Sequence, residues 1–64
     1  MDVWTSFLPV CNYYETMLRA GNDVYRLMAL AGKDCDIRTD TRAEAEAAHA
    51  ALCATVEAVL RGAR

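Results

Sequence analysis

The stretch that decides the predicted fold is residues 4–32, WTSFLPVCNYYETMLRAGNDVYRLMALAG. Within it, apolar residues and glycines follow one another at alternating steps of three and four: Trp4, Phe7, Cys11, Tyr14, Leu18, Gly21, Tyr25, Met28 and Gly32. This spacing is the a/d pattern of a helix that packs lengthwise along another helix. The pattern predicts a long N-terminal helix over about residues 3–32.

Two residues inside this predicted helix are candidates for a kink or a break. Proline is tolerated in the first turn of a helix but not in its interior, so Pro9 can turn residues 3–8 away from the main axis. Gly21 can end one helix, with Asn22 or Asp23 capping the next. Because the spacing keeps its phase across Gly21, we expect one continuous helix, with the broken helix as the alternative.

The second half of the chain predicts a loop followed by a second helix. Residues 33–41 are polar, rich in Asp and Thr, and without periodicity. Thr41 and Glu44 have the spacing of a capping box, in which each residue bonds the other at a helix N-terminus. Residues 42–61 are all fair helix formers, and Gly62 supplies a stop. We therefore predict a loop over 33–41 and a helix over 42–61.

These elements predict an all-α fold, a helical hairpin that forms one small domain over residues 1–64. A first helix of about 28 residues is about 42 Å long and the second is about 30 Å long, so the N-terminal end extends past its partner. A chain this short is marginally stable alone, so we expect a dimeric helical bundle. A fold-back at Pro9 is the alternative. The residues predicted to contact the second copy or another partner are Trp4, Phe7, Leu8, Tyr14, Leu18, Tyr25 and Met28.

Charge and cysteine content limit the partners and the location that we expect. Seven basic and nine acidic residues give a net charge of −2, and no two basic residues are adjacent. Phosphate binding needs clustered positive charge, so nucleic acid and anionic membrane surfaces are disfavoured. The longest uncharged stretch, residues 3–14, falls short of the roughly 20 apolar residues of a membrane span. An odd number of cysteines and the lack of a signal-peptide pattern predict a cytoplasmic protein.

The metal-ligating residue types show one suggestive spacing. His49 and Cys53 are four residues apart on the predicted second helix, and Cys11 could add a third ligand. Structural zinc sites usually show two close ligand pairs, so we expect packed side chains here and predict no metal and no cofactor. Cys35 lies among the aspartates of residues 34–40, and these carboxylates are expected to raise the pKa of its thiol. The same segment lacks the Gly and Glu of an EF-hand calcium loop, so we do not expect it to bind calcium.

The sequence contains no motif that predicts catalysis. It has no glycine-rich phosphate loop, no nucleophile elbow and no paired-histidine zinc motif, and we expect a helical hairpin to lack a pocket of several hundred Å³. The predicted function is a non-enzymatic helical protein–protein interaction module: an adaptor, regulator or inhibitor of a larger protein or complex, such as bacteria and phages encode. The alternative is a small dimeric nucleic-acid-binding regulator that gathers Arg19, Arg26 and Arg42 on one face.

Overall fold

The computed structural model describes residues 2–62, which form a three-stranded antiparallel sheet with two helices. Its elements in chain order are β1 (Asp2–Leu8), β2 (Tyr13–Arg19), α1 (Asn22–Leu30), β3 (Asp36–Thr39) and α2 (Arg42–Gly62). The strand order is β1-β2-β3, so β2 is central. The prediction of an all-α helical hairpin is therefore wrong, and the dimeric helical bundle loses its basis because residues 3–19 contain no helix.

The predicted long helix is replaced by a β-hairpin. Residues 2–8 and 13–19 are rich in β-branched and aromatic residues, which favour strands. Pro9 lies in the connecting turn, where its missing N–H needs no partner. Asn12 has φ 55°, a left-handed conformation that Asn tolerates well, and its N–H donates to the Leu8 carbonyl at 2.8 Å. Pro9 therefore marks the turn of a hairpin and not the start of a helix.

The steps of three and four do not select one face of a strand. Successive strand residues point to opposite faces, so a step of three changes the face and a step of four keeps it. Trp4 pairs with Met17 on one face of the sheet, whereas Phe7 pairs with Tyr14 on the other. The helical spacing is coincidental here.

A helix boundary does lie at Gly21, as in the alternative prediction, but a strand precedes it, and Gly21 begins the helix where Asn22 or Asp23 had been expected to cap it. Gly21 is the N-cap of α1, with φ −70° and ψ 164°. The helix ends in a Schellman motif, in which Lys33 N–H donates to Met28 O at 2.9 Å and Gly32 N–H to Ala29 O at 3.0 Å. Gly32 has φ +70°, which is the left-handed conformation that the motif requires.

The predicted loop over 33–41 contains a short strand, and the helix after it is confirmed. Residues 36–39 pair with β2, with Ile37 opposite Thr16. The side-chain cap at Thr41 also forms, since Glu44 N–H donates to Thr41 Oγ1 at 3.2 Å. The Glu44 carboxylate accepts from the Thr41 hydroxyl at 2.9 Å, in place of the Thr41 backbone N–H that a full capping box uses. The helix over 42–61 was predicted to within one residue of its observed end.

The hydrophobic core lies between the sheet and α2. Its buried apolar residues come from β2 and both helices: Leu18, Met28, Ala45, Leu52 and Val56. Tyr25 ties α1 to the end of β2, because its hydroxyl donates to Leu18 O at 2.9 Å and accepts from Ala20 N–H at 3.1 Å. Since α2 packs against all three strands, one face of the sheet is covered and the other is left open.

Candidate functional site

The strand register assigns every side chain of the sheet to one of two faces. The covered face packs against α2 and consists of Val3, Thr5, Phe7, Tyr14, Thr16, Leu18, Ile37 and Thr39. The opposite face, here called the open face, is not covered by either helix within residues 2–62. It consists of Asp2, Trp4, Ser6, Leu8, Tyr13, Glu15, Met17, Arg19, Asp36 and Arg38.

The centre of the open face is an apolar pair with a cation stacked on it. Trp4 and Met17 are direct cross-strand partners, and each is 36% exposed. The guanidinium carbon of Arg19 lies 4.1 Å from the centre of the Trp4 ring. This is a cation–π contact, which orients the indole and covers part of it. A large aromatic side chain is thus held in position on a surface that no element of the described chain covers.

A second polar group flanks this centre. Arg38 Nε lies 3.5 Å from Glu15 Oε2, and the Arg38 guanidinium carbon lies 5.4 Å from the centre of the Tyr13 ring. Partial burial raises the pKa of the Tyr13 hydroxyl above its ordinary value, and the positive charge of Arg38 opposes this rise. Tyr13 is therefore neutral at physiological pH and presents a hydroxyl that can donate or accept a hydrogen bond.

The charges of the open face do not favour a polyanion. Two cations, Arg19 and Arg38, share the face with three carboxylates, Asp2, Glu15 and Asp36. Arg38 is already paired with Glu15, so its charge is partly neutralised. Nucleic-acid binding draws most of its affinity from unneutralised positive charge, and this face has no excess of it.

On the covered side, a chain of polar groups links the sheet to α2. Thr16 is fully buried, and its hydroxyl bonds that of Thr5 at 2.8 Å. Thr5 Oγ1 also lies 3.1 Å from His49 Nδ1. A hydroxyl hydrogen-bonded to an imidazole is also found in catalytic nucleophile–base pairs. In those pairs, however, a third group bonds the imidazole and orients it. No hydrogen bond to the other His49 nitrogen is found in residues 2–62. The Thr16–Thr5–His49 contacts therefore mainly give the buried Thr16 hydroxyl a hydrogen-bond partner.

Two openings on the surface have larger volumes than we expected from the sequence. An opening of about 340 Å³ beside the Thr5–His49 pair is lined by Phe7, Tyr14 and the first turns of α2. A wider opening of about 510 Å³ separates α1 from the C-terminal half of α2, next to Leu30, which is 79% exposed. The expectation that no depression reaches several hundred Å³ is therefore wrong.

The residues predicted to contact a partner do not form one stripe. Trp4 and Leu8 lie on the open face, whereas Phe7 and Tyr14 pack at the end of the covered face, with tilted rings whose centres are 4.9 Å apart. Tyr25 lies on α1 and remains 36% exposed.

The last two members of the predicted set, Leu18 and Met28, are buried in the core at 4% and 0% exposure. A partner cannot reach them in the folded chain. Association through the other five residues stays a prediction.

The three residues weighed as metal ligands are not brought together. Cys11 lies in the hairpin turn, while His49 and Cys53 lie on α2. Within residues 2–62, no three His, Cys, Asp or Glu side chains are grouped so that they could hold a metal ion. Burial, and secondly the Asp34 carboxylate, raises the pKa of the Cys35 thiol, in the direction predicted from the sequence.

Sequence reasoning missed Met17, Arg19, Glu15 and Arg38 as members of one surface. The alternation of buried and exposed residues over 16–19 becomes visible only in the structure, while the sequence offered the aromatic and β-branched residues of 13–16 as its signal for a strand. The helical spacing of the larger apolar residues masked this signal. Arg19 and Arg26, expected on one side of a helix, lie instead on β2 and α1.

Models of known protein families, curated proteins and solved structures were compared with the chain, and none of them matches it. Neither of the two helices within residues 2–62 is both long enough and apolar enough to cross a membrane. A function for this chain has therefore to be inferred from its own contacts.

Proposed function

We propose that this chain is a non-enzymatic protein-binding module, an adaptor, regulator or inhibitor, that docks on a larger protein through the open face. The observation that carries the proposal is the exposed Trp4–Met17 pair with Arg19 stacked on the indole. Trp, Met and Arg are enriched at protein interfaces, and Trp and Arg dominate their binding energy.

Preorganisation adds to this argument. Arg19 restrains the indole from one side, and Met17 is its direct cross-strand neighbour on the same face. A side chain that is already ordered loses less rotamer freedom on binding, so more of its contact energy contributes to affinity. The three hydrogen-bonded strands beneath thus support a binding surface with an aromatic centre.

The charges define the chemistry of the partner. Arg38 is paired with Glu15, whereas Arg19 forms no ion pair within the described residues and stacks only on Trp4. A partner that offers an apolar depression for Trp4, with a carboxylate beside it for Arg19, would complement this surface. The balance of two cations against three carboxylates favours such a protein surface over a phosphate backbone.

The test compares two single substitutions in an affinity experiment. Trp4→Ala removes the centre of the open face, and Leu30→Ala removes an exposed apolar group from α1. A protein that the wild-type chain captures is purified, and its affinity for the wild-type, Leu30→Ala and Trp4→Ala chains is measured by calorimetry. We expect a loss of affinity of roughly 30-fold or more for Trp4→Ala, since a hot-spot truncation costs about 2 kcal/mol or more.

Trp4 is also the single tryptophan of the chain, so its fluorescence reports on the open face directly. Emission should change when the purified partner is added. If instead a mixed-sequence single-stranded oligonucleotide changes the emission, and salt reverses that change steeply, the nucleic-acid-binding alternative replaces our proposal. Equal binding by the Trp4→Ala and wild-type chains would contradict the assignment of the open face.

A further inference from the structure

β1 is an edge strand without the usual protection. It pairs with β2 along its whole length, and within residues 2–62 no strand lies on its other side. Natural edge strands are commonly blocked by a lysine, a proline, a bulge or very short length. β1 is seven residues long, Asp2 is its only charged residue, and Pro9 comes only after it ends.

The register identifies which backbone groups face this free edge. Leu18 N–H donates to the carbonyl of Cys35, so Leu18 bonds towards β3. Because bonding direction alternates along an antiparallel strand, the odd-numbered residues of β2 bond towards β1. Their partners on β1 are the even-numbered residues, such as Trp4 opposite Met17. The N–H and C=O groups of the remaining residues therefore point outwards: Val3, Thr5 and Phe7.

We propose that a second copy of this chain pairs with β1 through these groups, antiparallel and symmetric about Thr5. The pairing joins two sheets into one of six strands, with both α2 helices on the same face. Val3 of each chain then lies opposite Phe7 of the other. The two Asp2 carboxylates lie at opposite ends of the paired strands, so the only charge on β1 creates no repulsion.

The surface next to β1 has an exposed aromatic side chain at one end of the strand and a depression at the other. Phe7 is 47% exposed at one end of the strand, beside α2. At the other end, Val3, Cys53 and Val56 line an opening of about 230 Å³ between β1 and α2, and the carboxyl side chains of Asp2 and Glu57 complete its lining. The two-fold pairing places Phe7 of each chain next to this opening in the other chain. An exposed aromatic ring and the apolar part of the opening are thereby buried together, twice per dimer.

A second copy is also favoured because the chain is small. A 64-residue chain buries about 60% of its unfolded surface, and oligomerisation is one of the usual ways to supply the missing stability. The free edge differs from the open face that carries the proposed function, because edge pairing uses backbone groups and Phe7, whereas docking uses Trp4, Met17 and Arg19. Failure of one proposal therefore leaves the other standing.

Analytical ultracentrifugation of the whole chain tests this inference, with reductant present to prevent disulfides between exposed Cys11 or Cys53. We expect the wild-type chain and Leu30→Lys to sediment as dimers. Phe7→Glu should sediment as a monomer, since it places a negative charge opposite Val3 and beside Asp2 and Glu57 of the second copy. A wild-type chain that stays monomeric at NMR concentrations overturns the proposal, as does a Phe7→Glu chain that is as dimeric as Leu30→Lys.

A measurement on the unmodified sequence fixes the register and does not depend on how a variant folds. A mixture of isotopically labelled and unlabelled wild-type chains should show intermolecular NOEs between the Val3 methyl groups and the Phe7 ring. A dimer whose intermolecular NOEs fall on α1 or on the open face instead would exclude pairing through β1. Mixing Phe7→Glu with Val3→Lys should restore a heterodimer, because the introduced glutamate and the introduced lysine would then lie opposite each other.

Discussion

The two faces of the sheet are built from alternating residues of the same strands, yet they have different roles. On the covered face, Leu18 and Thr16 are buried against α2 and stabilise the fold. On the open face, Met17 lies between them in sequence but remains 36% exposed beside Trp4. A step of one residue thus separates a core position from a surface position. In so small a domain, stability and binding can be altered separately by substituting neighbouring residues.

The largest expected difference between the faces is in the free energy of unfolding, when adjacent residues of β2 are truncated to alanine. Leu18→Ala leaves a cavity in the core and should lower the free energy of unfolding by about 2–5 kcal/mol, enough to unfold much of so small a domain. Met17→Ala changes an exposed position and should cost less than about 1 kcal/mol. Urea denaturation followed by circular dichroism measures both. Similar losses for the two variants would mean that the open face is covered in solution.

Two threonines on the covered face should respond with opposite signs. The buried Thr16 hydroxyl bonds Thr5, whereas the buried hydroxyl of Thr39 has no hydrogen-bond partner within residues 2–62. Thr16→Val should therefore cost about 0.5–1.5 kcal/mol, while Thr39→Val should be neutral or stabilising because it removes an unsatisfied polar group. The free energies of unfolding of the two variants give the comparison. A loss for Thr39→Val equal to that for Thr16→Val would contradict the buried environment described for Thr39.

A smaller effect is expected from the cation on the open face. Arg19→Gln removes the contact with the Trp4 ring and should lower the free energy of unfolding by about 0.5–1 kcal/mol, the usual range for an exposed cation–π pair. Trp4 fluorescence should change in the same variant, since the indole loses its neighbour. Arg26→Gln, an exposed position on α1, is the matched control and should leave both quantities unaltered. Indistinguishable spectra for Arg19→Gln and the wild-type chain would show that the stacking does not persist in solution.

The smallest expected effect is on the pH dependence of stability, through the Cys35 thiol. Burial raises its pKa in the folded chain, so the folded state holds the thiol proton more tightly than the unfolded state does. This contribution to stability is complete below the ordinary thiol pKa of about 8.5 and is lost as the pH rises through the raised value. The stability difference between the wild-type chain and Cys35→Ala should therefore shrink in alkaline solution. A difference that is constant with pH would contradict the raised pKa.

Alkylation of the native chain gives an independent measure of the same environment. Cys11 and Cys53 are exposed, whereas Cys35 is partly buried against the core. Iodoacetamide followed by peptide mass spectrometry should therefore modify Cys35 last at neutral pH, because the thiolate is the reactive form. Equal rates at the three thiols would show that the covered face opens readily around Cys35.

Some parts of the candidate site were within reach of sequence reasoning, and others were not. Trp4 was predicted as a contact residue because the second helix of a hairpin would not reach it. That hairpin does not form, and Trp4 is exposed for another reason, its place on the open face of β1. Its role in contacts stays a prediction. Its neighbours Met17 and Arg19 were not identified, because they approach Trp4 only through the pairing of β1 with β2. The raised pKa of Cys35 was anticipated from the neighbouring aspartates, although burial is the larger cause.

Sequence alone was sufficient for α2 and its side-chain cap. The hydrogen bonds of a helix join residues four apart, and the Thr41–Glu44 cap joins residues three apart, so all the information is local. The sheet depends on the tertiary structure, because Thr5 meets Thr16 and Thr16 meets Ile37 across long separations along the chain. Residues 3–19 carry spacings compatible with either a helix or two strands, and the covering of Thr16 and Leu18 by α2 decides between them.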